Sequence, residues 1–251
     1  MKMLYWLLGG FAAMAVAIFV VLTFLLGFIV KAGVNKFGPT LTKTKVELAS
    51  ARISPLTGDG RIHGLVIGNP PGWQSDRAVY LGEAHLAMAP FSLLHDHVVV
   101  NDILIDQPEF VFETRIFSSN LQDLLKNIRS STGAAPEAAA ITSSKAGKPK
   151  RFEVKRLRMQ NGKVIIGVGS NAYNLPLPPL TLTDLGTKEG GLTAGQLGEV
   201  ILQNVLGQVL ATAADAAAHG GKPTGNAAID ATVDAARKAA EGLKGFFKKK
   251  D

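Results

Sequence analysis

The residues able to do chemistry in this chain are few. His95-Asp96-His97 sets two imidazoles at i and i+2, which on a strand share a face and suit a divalent cation. Spacing places no third ligand beside them, and the triplet falls where a loop meets a strand. It reads as a solvated turn, and no metal is expected. His63 and His85 stand alone on separate strands, and the carboxylates are scattered without an obvious pair. The sequence contains 0 cysteines, which excludes disulfides, thiolate metal sites and a Cys nucleophile. It has no Gly-x-Ser-x-Gly elbow, no His-Glu-x-x-His and no phosphate loop ending in Gly-Lys-Ser/Thr. Gly167 and Gly169 are a fragment of a glycine-rich pattern that no helix follows. No catalytic residue and no cofactor are expected.

Greasy and basic surfaces carry more information. Between Lys2 and Lys31 no side chain is charged. As a helix, Met3 to Val30 would be roughly 40 Å long, against about 30 Å of bilayer hydrocarbon. Tyr5 and Trp6 suit one interface and the two lysines close the ends. A cleaved signal peptide would carry a shorter apolar run and a small-x-small site; Phe28-Ile29-Val30-Lys31 offers neither, so residues 1–32 read as an uncleaved anchor. Gly9, Ala13 and Ala17 recur on one side of it, the small-xxx-small pattern that lets transmembrane helices approach closely. At the other terminus Phe246 and Phe247 adjoin Lys248, Lys249 and Lys250. They suit a helix lying on an anionic lipid surface, or one packed on the protein with a basic tail.

The formal net charge of +7 invites a nucleic-acid reading. Much of the excess lies beside the anchor (Lys31, Lys36, Lys43, Lys45) and in the terminal lysines, where anionic headgroups explain it more simply. No zinc-finger spacing or aromatic RNA-binding signature is present, and no nucleic acid is expected. Counting Lys and Arg near the anchor favours the cytoplasm slightly for the bulk, though a two-residue stub leaves the rule little to weigh.

The elements around these residues are mostly strands. Residues 40–130 read as one β unit. A strand from Val46 to Ile53 turns at Thr57-Gly58-Asp59-Gly60 into Arg61–Gly68, which Asn69-Pro70-Pro71-Gly72 stops. Strands over Ala78–Met88, Val98–Ile105 and Glu109–Arg115 follow, with a phase change near Glu83 that suggests a bulge. Ser119 caps a helix from Asn120 to Arg129 whose leucines share a face. Residues 131–150 read as a flexible linker. Residues 151–220 form a second β unit plus a helix. There Phe152–Met159 and Lys163–Val168 flank Asn161-Gly162, the strongest hairpin signal in the chain. Ala172–Leu177 and Leu180–Asp184 flank Pro178-Pro179, and a helix begins at Thr193. Residues 226–251 read as an amphipathic basic helix. The fold class is α+β: a transmembrane helix, a curved and mainly antiparallel sheet in two units, and C-terminal helices. Alternation assigns Val46, Leu48, Ile67, Leu86, Ile103, Ile105, Phe110 and Phe112 to its inner face.

The anchor followed by Gly58-Asp59-Gly60-Arg61-Ile62-His63-Gly64-Leu65-Val66-Ile67-Gly68-Asn69-Pro70-Pro71-Gly72 resembles the start of AsmA-like proteins of the bacterial envelope. Ala84–Met88, Ser92-Leu93-Leu94, Val98–Ile105, Pro108 with Phe110 and Phe112, and Asn120-Leu121 continue the likeness in order over about residues 1–130, more faintly to 185. The resemblance implies an inner-membrane anchor with the body in the periplasm, against the lysine count. It also implies a β-groove related to those of larger relatives linked to phospholipid movement and outer-membrane assembly. This chain lacks their long series of repeats. The inner face then either cups an acyl chain, for lipid binding or outer-membrane organisation, or packs on the helices of a periplasmic scaffold that recruits protein partners. Expected partners are membrane lipids and either further copies of the chain or an envelope protein.

Overall fold

The computed structural model describes residues 2–115, 118–133, 150–168, 172–188 and 190–219. Helix α1 runs from Lys2 to Thr42, well past Lys31. Of its described side chains, the large apolar ones between Tyr5 and Ile29 are mostly exposed, whereas Leu26 and Val30 pack against the core. Close approach explains two of the helix's glycines, Gly27 and Gly38. A Cβ on Gly27 would lie 2.2 Å from the Ala51 carbonyl oxygen, and one on Gly38 would lie 2.7 Å from Val46. The last turns of α1 therefore belong to the folded body.

The strands are β1 (Val46–Ile53), β2 (Asp59–Gly68), β3 (Arg77–Met88), β4 (His97–Asp106), β5 (Glu109–Phe112), β6 (Arg151–Gln160), β7 (Gly162–Ile166), β8 (Tyr173–Leu177) and β9 (Leu180–Leu185). They form one nine-stranded sheet. Neighbours are antiparallel, except that β4 pairs β6 and β5 pairs β7 in parallel. That parallel seam joins the two strand groups into a single sheet. Helices α2 (Asn120–Gly133) and α3 (Ala194–His219) sit over its inner face with the end of α1.

The register shows that β4–β5, β6–β7 and β8–β9 are three continuous ribbons, each broken once. Pairing keeps one offset from His97↔Arg151 to Phe112↔Ile166, and again from Val154↔Leu185 to Ile166↔Tyr173. Asn161-Gly162 is thus no hairpin turn. Only Asn161 takes a left-handed conformation (φ 53°), whereas a two-residue type I′ hairpin needs positive φ at both central positions. The Gln107 and Lys163 amides bond across the break to the Gln160 and Pro108 carbonyls, at 3.0 and 2.9 Å. The parallel neighbour therefore carries the strand straight on.

These breaks line up. The flanking pairs place Gly64 opposite Gly82, Gly82 opposite Gln107, Gln107 beside Asn161 and Asn161 opposite Pro178. Gly64 and Gln107 also have positive φ (67° and 52°). A crease crosses the sheet, and alternation resets on every strand at the same level. Leu81 and Ala84 both face inward although three positions apart. This accounts for the phase change near Glu83.

The sheet has two edges. On β1 the Asn35 side chain of α1 accepts from the Leu48 amide at 2.6 Å, so the helix occupies that edge. The other, β8–β9, carries Pro176, Pro178 and Pro179.

The helices start as their sequences dictate. Ser119 and Gln122 bond reciprocally (amide to Ser119 Oγ 3.2 Å, amide to Gln122 Oε1 2.9 Å). Thr193 and Gln196 repeat this capping box at 3.3 and 2.9 Å. Helix α2 continues past Arg129 to Gly133. The rest of the linker and the terminal helix lie outside the described residues.

Candidate functional site: an apolar cavity under the sheet

A cavity of about 300 Å³ lies between the creased inner face and the three helices. Ile105 and Met159 line it from one side of the crease, and Leu65, Leu81, Val46, Ile67, Val79 and Phe110 from the other. Its roof is Gly33, Val34 and Phe37 of α1, Leu124 and Ile128 of α2, and Gly198, Ile201 and Val205 of α3. Almost every wall atom is carbon, so an occupant would be held by burial of hydrocarbon rather than by directional bonds. The volume is at the lower end of the roughly 300–1,000 Å³ of ligand pockets. Glycine makes part of the space: at Gly198 an added Cβ would meet nothing within 4 Å.

All eight residues assigned by alternation point inward, but they divide. Val46, Ile67, Ile105 and Phe110 line the cavity. Leu48 and Phe112 are buried in the core, and Leu86 and Ile103 pack against it. Leu65 and Leu81 flank the crease, where alternation counted along one strand slips phase. The signal for them was Gly64 and Gly82 themselves.

The opposite face carries a polar hollow of about 510 Å³ lined by His63, Tyr80, Glu83, His85 and Asp106, among others. His85 Nε2 lies 3.3 Å from Glu83. Glu109 is shared by Arg77 at 2.9 Å and Lys163 at 2.8 Å. His97 pairs with Glu153 at 3.2 Å, and His95 Nδ1 lies 3.1 Å from the Phe91 carbonyl, so the triplet's two rings face different partners. Among the described residues no group of three His, Asp or Glu side chains could hold a metal ion. Nearby, Arg158 and Arg156 clamp Asp102. The hydrogen bond from Arg158 (2.6 Å) leads in holding its carboxyl below the usual range, with Arg156 adding to it and burial opposing.

One buried polar cluster has no counterpart in the sequence reading. The Glu113 carboxylate, 5% exposed, accepts from Asn69 at 2.8 Å and from the Gln74 and Ser75 amides at 3.0 and 2.8 Å. Asn120, fully buried, accepts from the Glu113 amide and donates to Asn69 and the Val111 carbonyl. Every partner is a backbone group or an amide, so this is a clasp that ties the Asn69–Ser75 loop to α2.

Gly9, Ala13 and Ala17 are exposed on α1, free to meet another helix. Phe246, Phe247, Lys248, Lys249 and Lys250 lie outside the described residues. Helix α1 is long and apolar enough to cross a membrane over Phe19–Thr42 by composition. Its packing on β1 from Gly27 onward puts the lipid-accessible part nearer the N-terminus.

A curved open sheet with helices closing an apolar hollow defines a β-groove protein with a candidate membrane helix. The model of the AsmA family matches residues 60–175, so over that stretch the chain is similar to AsmA-family proteins. Members of that family are envelope proteins. Among curated proteins and among solved structures nothing matches.

Proposed function

We propose that this is a non-catalytic lipid-binding protein of the bacterial inner membrane, with its sheet in the periplasm, whose cavity takes an acyl chain. The observation that carries the reading is the cavity's apolar lining beside the same helix that bears the charge-free run. Gly33 of the cavity wall is only about 9 Å along α1 from Gly27, where the sheet first meets the helix. A lipid tail leaving the bilayer along α1 would reach the cavity within its own length. The likeness to AsmA-family envelope proteins supports the compartment.

Native mass spectrometry of the detergent-extracted full chain tests the reading. Wild type is expected to carry a phospholipid adduct, and Gly198→Leu, which fills the cavity, to lose it. Lipid-free wild type in membranes that still need the protein would favour the scaffold reading. Protease added outside the inner membrane should digest the sheet; protection would put the body in the cytoplasm.

A further inference from the structure

Outside α1, the exposed large hydrophobic residues among those described are Leu56, Phe91 and Leu94. All three sit on two turns at one end of the sheet. The Phe91 amide bonds the Pro55 carbonyl at 2.9 Å and the Met88 amide bonds the Gly58 carbonyl at 2.8 Å, which locks the turns together. Phe91 holds φ 61°, a conformation unfavourable for a bulky side chain. Lys150 Nζ braces the second turn through the Leu93 and His95 carbonyls, at 2.8 and 2.7 Å. A braced backbone thus presents three greasy side chains to the outside.

The path of β1 fixes where this end lies. Gly38 meets Val46, Asn35 bonds Leu48, and Gly27 meets Ala51 and Arg52. The strand therefore descends α1 toward its N-terminus, at about 3.3 Å per residue against 1.5 Å for the helix. Leu56 follows Arg52 by four residues, so its turn stands level with α1 residues before Gly27, beside the uncharged Met3–Val30 run. On the outer face just above, Arg52 and Arg61 are exposed and directly opposite each other. Neither has an ion-pair partner among the described residues. Like charges so placed repel, and an anionic surface would relieve them. Asp59 is the acidic group on the same turn.

We infer that this end of the sheet is a membrane-docking tip: Leu56, Phe91 and Leu94 enter the headgroup–acyl boundary beside α1, with Arg52 and Arg61 on anionic headgroups. The inference rests on α1 being the anchor. Docking would hold the body upright at a set height above the bilayer.

The absence of cysteine allows single labels on the full chain. An environment-sensitive fluorophore at Leu56→Cys or Leu94→Cys is read in phosphatidylcholine–phosphatidylglycerol vesicles with quenchers fixed at known depths. Phe11→Cys reports the anchor and Lys126→Cys on α2 the aqueous body. Shallow quenching at 56 and 94, deep quenching at 11 and none at 126 is expected. Labels at 56 and 94 as wet as at 126, with 11 still deep, would overturn docking alone. A wet label at 11 would remove the anchor and docking together. If diluting the protein into more lipid exposes 56 and 94 to water, a second copy had covered them and the inference fails. Arg52→Gln with Arg61→Gln should abolish any gain in quenching from phosphatidylglycerol; an undiminished gain would remove the charge contribution.

Discussion

At Gly198 a side chain would enter empty space, while glycine inside a helix costs about 1 kcal/mol relative to alanine. Gly198→Leu should therefore raise the melting temperature by a few degrees while blocking lipid capture, measurable by calorimetry beside the mass spectra. Asn120→Ala acts oppositely. It leaves the Glu113 amide and Val111 carbonyl unpaired in the interior, at roughly 1–3 kcal/mol each, and urea midpoints should fall accordingly. Asp102 gives a pH handle. Because the fold lowers its pKa, its stabilisation is complete above the unfolded value, near 3.9, and is lost as pH falls through the folded one. Asp102→Asn should flatten the pH dependence of stability below about pH 4, with chemical denaturation as the readout. Half of the cavity residues contributed by the sheet were legible from alternation, because each faces inward on an unbroken strand segment. Glu113 was not. A lone glutamate at a strand end looks solvated until the loop that caps it is in place.

Elements were legible where their causes are local. Turn residues, capping boxes and leucine stripes mark β1–β5, α2 and α3 within a few residues of where they lie. Asn161-Gly162 failed for a non-local reason. The dipeptide can make a hairpin, but the parallel partner offers hydrogen bonds that continue the strand, and that partner is distant in sequence. The crease was half visible, as a phase change on β3 alone. Its positions should respond unequally. At Gly64, φ is 67° and an added Cβ would lie 2.8 Å from that of Ala49, while at Gly82 the nearest atom is 3.9 Å away on Tyr80. Gly64→Val should cost about 2 kcal/mol or more, and Gly82→Ala close to nothing; paired equilibrium melts would show the contrast. Equal losses would mean that the crease does not depend on backbone conformation at Gly64.

For the molecule as a whole, one continuous helix joins the charge-free run to the cavity wall. The sheet therefore cannot tumble freely relative to α1, because Asn35, Gly27 and Gly38 fasten β1 to it. Association between copies is predicted to use the exposed small residues of α1. Crosslinking in membranes should show an oligomer that Gly9→Leu with Ala13→Leu abolishes, and an unchanged ladder would make that face irrelevant. Helix α1 overran the anchor read from composition because Lys31 and Lys36 end the greasy run without ending the helix. Composition reports a change of solvent; only packing reports that the same rod has become part of a fold.

The two rims of the sheet decide what this groove can become. One is occupied by α1, and the other has Pro176, Pro178 and Pro179 in place of backbone donors, which blunts strand addition. A neighbouring copy would find strand backbone to extend only along β9, Leu180–Leu185. Widening is thus confined to one short strand, and a longer conduit would come more readily from stacking units end to end.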